Sequence, residues 1–416
     1  MIRDILILQE RELRKKLKEH YIDRQINRKK IDNPLIKVII GPRRAGKSFF
    51  ALHFLNKKEK FSYVNFDDER LIDLKDYDEL MQNLDNLYNN SKNVLFDEIQ
   101  NLPRWELFLN RLYRQGYNIF VTGSNSKLLS KELATHLTGR HSQINIFPFS
   151  FKEYLELNKK EKLTNNEIKS LLEEYLVRGG YPEIKIKDID YKEYLSTLFD
   201  SVIYKDIVKR YKVRYPNKIE DLAFYLLSNI ANEYSFNSLI KITKIQSSHT
   251  IEKYLGYLEE AFIFFSLKRF SYKVKEQFSP IKKVYCIDNG IINAKAFKIS
   301  PDFGKLYENL VAIELKRKEM NNQLDLFYWQ NQQKEEVDFV IKEGTRISCL
   351  IQVCYNLNNP KVKQRETRSL IKAGVELKCK NLVVITKDYE KKEKMEWFGK
   401  KTEISFVPLW KWLLDL

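Results

Sequence analysis

Short apolar runs and longer amphipathic stretches alternate along the first third of the chain. The runs at 35–40, 61–66, 93–96, 117–122 and 143–146 predict strands, and the stretches between them predict helices. Strands that alternate with helices predict a parallel sheet with helices on both faces. Such sheets bind ligands at the carboxyl ends of their strands. Ahead of them, up to about Asp32, lies a charged, helix-like segment with Leu6, Leu8 and Leu13 as its apolar positions.

After Pro148 the rhythm changes. Residues 150–215 are almost wholly helical in pattern and break at Arg178-Gly179-Gly180-Tyr181-Pro182. From 216 to 300 the pattern reads helix (from Ser235), polar break (246–249), helix (250–258), then strands at 262–268 and 282–286, the outline of a winged helix-turn-helix. Leu255, Leu258, Phe262 and Phe264 read as core. From 301 to 416 a helix (306–318) precedes strands at 324–329, 337–342 and 349–354. A helix (365–378), a strand (381–386) and an aromatic ending close the chain. The fold class expected is α/β, with four parts at 1–149, 150–215, 216–300 and 301–416.

The first predicted strand runs into Gly41-Pro42-Arg43-Arg44-Ala45-Gly46-Lys47-Ser48, which satisfies G-x-x-x-x-G-K-[ST] at every fixed position. Backbone N–H groups of such a loop cradle nucleotide phosphates, and the dipole of the following helix favours their charge. Lys47 is expected to reach the β- and γ-phosphates, and Ser48 to ligate Mg²⁺. The strand at 93–96 ends in Asp97-Glu98, where Asp97 would hold Mg²⁺ and Glu98 would orient or deprotonate the attacking water. Ser124 or Asn125, after the next strand, is the candidate sensor of the γ-phosphate. Arg140 and Arg178 are the candidate arginines for the transferred phosphoryl group. ATP and Mg²⁺ are the cofactors expected.

Composition narrows the partners. A net charge of +17 favours a polyanion, although lysine is abundant throughout the chain. Ser247, Ser248, His249, Thr250 and Lys253 begin the second helix of the helix-turn-helix. Lys268, Arg269, Lys273, Lys275, Lys282 and Lys283 cluster around its wing, so duplex DNA is one candidate partner. Packing or protein contact is the other reading of the same module. No apolar stretch spans a membrane, and the four cysteines show no C-x-x-C spacing, so the expectation is a cytoplasmic protein with reduced thiols.

Taken with Tyr63–Asp68, Thr122-Gly123-Ser124, Leu137–Arg140, Tyr204-Lys205-Asp206, Gly304–Glu314 and Glu336–Phe339, these motifs resemble the AAA-type P-loop ATPases of archaea and bacteria, in particular the subgroup with a DUF4143 C-terminal region. The resemblance implies an ATPase domain at 1–149, a helical lid at 150–215 and a nuclease-like domain at 301–416. It also implies a C-terminal part similar to the PD-(D/E)xK nuclease fold, whose site needs a helix acid, a strand acid and, on the next strand, an acid or Gln two residues before a Lys. Glu308, Asp338 and Gln352 fit, but Cys354 stands where the lysine belongs. A thiol cannot supply that charge at neutral pH, so a silent domain is expected, with Lys363 or Lys342 as the substitutes to test. The functions this leaves are a Mg-dependent ATPase coupled to DNA or protein contacts, a nucleotide-gated switch with negligible turnover, and an ATP-regulated nuclease. Protein partners and further copies of the chain are candidates alongside DNA.

Overall fold

The computed structural model describes residues 2–58, 60–123, 137, 139–158, 162–245, 247–273, 281–297, 302–397 and 399–415. They fall into two compact units, residues 1–148 and 149–416.

The first unit is a five-stranded sheet with every pair parallel, built from β1 (Ile36–Ile40), β2 (Ser62–Asn65), β3 (Asn93–Asp97), β4 (Asn118–Gly123) and β5 (His141–Asn145), in the order β2-β3-β4-β1-β5. Helices α1 (Ile2–Lys16), α2 (Lys47–Lys58), α3 (Tyr77–Leu87) and α4 (Trp105–Arg114) accompany it. All of β1 is buried, as its β-branched residues, interrupted only by Lys37, predict for a strand covered on both faces. That burial includes Lys37, whose amine donates to Asn118 Oδ1 at 2.6 Å and whose pKa burial lowers to about 8. The charged N-terminal segment is α-helical through Lys16, with one 3-10 turn further on at Arg28–Lys30. Its Gln9 amide clamps the β2 edge, donating to Asn65 O at 3.0 Å and accepting from Asn65 N at 2.9 Å. A side-chain amide thus satisfies the two backbone groups that an edge strand leaves unpaired. Apolar residues of α2, notably Phe50, Leu52 and Leu55, pack with Ile39, Leu95 and Phe120 beneath the loop that joins β1 to α2.

The second unit opens with helices α5 (Phe151–Glu156), α6 (Asn165–Arg178), α7 (Pro182–Ile186) and α8 (Tyr191–Ser201). A π-helical stretch, Val202–Val208, follows, then α9 (Pro216–Ser228). Next come β6 (Glu233–Tyr234), α10 (Phe236–Thr243), α11 (Ser248–Glu260), β7 (Phe264–Arg269), β8 (Lys282–Cys286) and α12 (Asn289–Lys295). Ser235 caps α10, Lys244 ends it at φ +54°, and Ser247 caps α11. Leu255, Leu258, Phe262 and Phe264 are buried, as the sequence pattern predicts. Helix α13 (Phe303–Met320), strands β9 (Asp325–Gln330), β10 (Glu336–Glu343) and β11 (Arg346–Val353), helix α14 (Pro360–Glu376), strand β12 (Leu382–Thr386), the hairpin β13 (Lys391–Trp397) and β14 (Lys400–Pro408), and α15 (Leu409–Asp415) complete it.

The nine strands β6–β14 form one sheet, ordered β13-β14-β12-β11-β10-β9-β7-β8-β6. Strand β7 pairs in parallel with β9 through Lys268 and Arg269, so the strands of 216–300 and of 301–416 share a single sheet.

Candidate functional site

The phosphate loop lies between the carboxyl end of β1 and the first turn of α2. Gly41 has φ +148°, and a Cβ there would meet Ile146 O at 1.9 Å, so only glycine seats the loop against the chain leaving β5. Arg44 at φ +64° and Gly46 at φ +92° turn the backbone through left-handed conformations. The Lys47 ammonium is buried and donates to Pro42 O at 2.9 Å. Arg24 ties the loop from outside: Nη1 donates to Ala45 O at 3.0 Å and Nη2 to Phe147 O.

Because β4 is inserted between β1 and β3, Thr122 stands between the loop and the acids. The register aligns Ile39 with Thr122, and Phe96 with Val121. Ser48 Oγ donates to Asp97 Oδ1 at 2.7 Å, and Thr122 Oγ1 donates to the same oxygen. Tyr63 OH donates to Asp97 Oδ2 at 3.3 Å. Burial, opposed by the Thr122 and Ser48 donors, raises the Asp97 carboxyl above its ordinary range. Glu98 follows in the left-handed conformation at φ +52°. Its N–H donates to Thr122 Oγ1 at 3.1 Å, and its Oε2 accepts from the Gln100 amide. A non-glycine residue held at positive φ stores strain, and here it re-aims the carboxylate at the strand end.

The donor set fits Mg·ATP. A hydroxyl and a carboxylate, both hard oxygen donors, converge beside a buried ammonium at the N-terminus of a twelve-residue helix. The structure brings together Gly41 to Ser48, Asp97 and Glu98 among the residues expected from sequence. Asn125 and Ser124 lie outside the described residues. Arg140 precedes β5, at the amino end of the sheet, with its guanidinium 6.0 Å from the Tyr113 ring. The loop lies at the carboxyl end, so Arg140 and the loop sit at opposite ends of the sheet. Arg178 pairs with Glu174 at 3.3 Å in the second unit. Sequence reasoning gave no role to Thr122, Tyr63, Gln100 or Arg24. Thr122 gives no local signal, because its role depends on β4 lying between β1 and β3, and Arg24 sits in irregular chain with no periodic signal.

The second unit corrects two expectations. Lys283, placed at the wing by its neighbours in sequence, is buried, and its amine lies among Glu308, Glu336 and Asp338. It is therefore unavailable to nucleic acid. Lys363 and Lys342 are both committed away from Asp338: Lys363 donates to Glu393 at 2.9 Å and Lys342 to Asp325 at 2.7 Å. Cys354 is buried, and burial pushes its thiol up to about 11. Lys275 lies outside the described residues.

Residues 33–155 match an AAA domain, 169–302 a domain of unknown function (DUF8612), and 303–411 a domain of unknown function (DUF4143). The uncharacterized protein MJ1544 of Methanocaldococcus jannaschii is 40% identical, over 98% of this chain and 94% of its own length. An uncharacterized protein of Haemophilus influenzae is 30% identical, over 90% of this chain and 94% of its own. Among solved structures, the Walker-type ATPase PABY2304 of Pyrococcus abyssi is similar at 17% identity and a TM-score of 0.43, over 68% of this chain and 94% of that one. The chain belongs to the family that contains MJ1544, AAA-type P-loop ATPases with a DUF4143 C-terminal region.

Proposed function

We propose that the first unit binds and hydrolyses Mg·ATP, and that the second unit relays the nucleotide state to DNA or to a protein. The observation that carries this reading is the 2.7 Å contact between Ser48 Oγ and Asp97 Oδ1, with Glu98 next in the chain. Magnesium held by Ser48 and Asp97 would neutralise charge developing on the phosphates. The loop N–H groups and Lys47 hold the phosphates in place, and Glu98 takes the proton of the attacking water. Thr122 fixes both acids through one hydroxyl, so their spacing is set before nucleotide arrives.

For the output, the exposed start of α11 presents Ser248, His249 and Lys253. Tyr211 stacks on Tyr257 at 3.8 Å and so joins α11 to a segment exposing Lys205, Lys209, Lys212 and Arg214. The basic positions support contact with a polyanion, and Glu252 beside His249 works against it.

One contact favours a second reading. Gln100 holds the Glu98 carboxylate, an arrangement suited to a switch in which turnover waits for a partner. Phosphate release with Mg·ATP separates the two. The hydrolysis reading expects steady turnover that Lys47→Ala and Glu98→Gln each reduce by about a hundredfold or more. Undiminished turnover in Glu98→Gln removes that residue's role. Tight nucleotide retention without turnover, even with DNA added, favours the switch.

A further inference from the structure

Three carboxylates from two elements of the second unit converge on one amine. Glu308 comes from α13, while Glu336 and Asp338, two residues apart on β10, share one face of that strand. The Lys283 amine, from β8, lies 3.0 Å from Glu308 Oε1, 2.5 Å from Glu336 Oε1 and 3.3 Å from Asp338 Oδ1. Its side chain is 2% exposed. The surrounding groups fix the cluster further. Tyr285 OH donates to Glu308 Oε1 at 2.7 Å, Val353 N–H donates to Asp338 Oδ2 at 2.9 Å, and Asp338 N–H donates to Gln352 Oε1 at 3.3 Å.

Glu308, Asp338 and Gln352 are the positions where a nuclease of the resembling fold would hold a divalent ion. These residues do not fit one in the present arrangement. A hard divalent cation needs the carboxylate oxygens at about 2.0–2.6 Å from its own centre. Here the ammonium already occupies the point on which all three carboxylates converge, and it directs three N–H donors at them. Buried and within 3.3 Å of an oxygen from each of the three acids, the amine is held in place as the cation of the cluster.

We propose that Lys283 is a resident cation, standing in place of a divalent metal and closing the acidic centre of the DUF4143 region to metal ions. The region then keeps the acids of a metal site without metal chemistry, and its contribution to the protein is a folded surface rather than phosphodiester cleavage. This assignment is independent of the nucleotide reading of the first unit.

The test uses the full-length protein, nucleotide-free, with Mn²⁺ as the probe. Lys283→Met removes the cation and leaves three carboxylates with an access route at Glu336, whose side chain is 28% exposed. Titration calorimetry and thermal melting are expected to show one more Mn²⁺ bound by Lys283→Met than by the wild type, with a rise in melting temperature that the wild type lacks. Adding Asp338→Asn to Lys283→Met is expected to abolish both effects. If Lys283→Met folds only with added cation, refolding yield should recover in Mn²⁺ and not in sodium chloride of equal ionic strength. Two results overturn the proposal. One is a Lys283→Met protein, folded or refolded, that gains no Mn²⁺ response. The other is a wild-type protein that binds Mn²⁺ in a manner lost on Asp338→Asn.

Discussion

Thr122 joins the two acids at the end of β3 through one hydroxyl. It donates to Asp97 Oδ1 while accepting from the N–H of Glu98, and so holds the proposed metal ligand and the proposed base in one register. Thr122→Val keeps the shape and removes both bonds. The expected result is turnover lower by on the order of tenfold to a hundredfold, with nucleotide affinity little changed, because the loss falls on positioning. Steady-state phosphate release and equilibrium binding of a nucleotide analogue separate the two effects. A loss of affinity equal to the loss of rate would mean that Thr122 serves binding. Local pattern cannot reveal this role. A threonine at a strand end is ordinary, and only the insertion of β4 between β1 and β3 makes it a shared partner.

At the scale of elements, the Arg178-Gly179-Gly180-Tyr181-Pro182 break is a lock. The buried Asp288 carboxylate accepts from Gly180 N at 2.7 Å and from Gly290 N at 2.8 Å, joining the end of α6 to the start of α12. A Cβ on Gly180 would meet Phe149 O at 2.4 Å, and one on Gly290 would meet Arg178 O at 2.3 Å. Burial, opposed by these N–H donors, raises the Asp288 pKa to about 6 from an ordinary 3.8. An acid with a raised folded pKa binds its proton more tightly when folded. Its contribution to stability is therefore full below pH 3.8 and is lost as pH rises through about 6, a span worth about 3 kcal/mol. Urea unfolding of wild type and Asp288→Asn between pH 4 and 7 isolates the effect. The wild type should lose stability relative to the variant as pH rises, and parallel curves would contradict the assignment. Among the described residues, the strands and helices that the apolar pattern marks are present, within a few residues at their ends. The hairpin β13–β14 escaped it because β13, Lys391–Trp397, alternates charged residues along an exposed edge. That composition discourages edge pairing with other chains and hides the strand from a search for apolar runs.

Across the whole molecule, the nucleotide centre was the most legible part, because the chemistry of phosphate binding prescribes residue types at fixed spacing. Gly41 to Ser48 and Asp97-Glu98 converge as that spacing requires. The second unit was legible in its elements and not in its joins. One sheet runs through the segments 216–300 and 301–416, and Lys283, counted from sequence toward a basic wing, serves the acids of α13 and β10 instead. Contacts distant in sequence decide both outcomes, and no local periodicity encodes them. The net charge of +17 similarly overstates the binding surface, since buried Lys37 and Lys283 contribute to it. Ser48 and Asp97 are proposed to hold a magnesium ion for ATP hydrolysis. The most direct test is phosphate release from ATP as Mg²⁺ is titrated, for wild type and Asp97→Asn. Turnover is expected to be absent in EDTA, to saturate with Mg²⁺ in the wild type and to fall at least about a hundredfold in Asp97→Asn. Turnover that persists in EDTA, or an Asp97→Asn protein with wild-type magnesium dependence, would contradict that assignment.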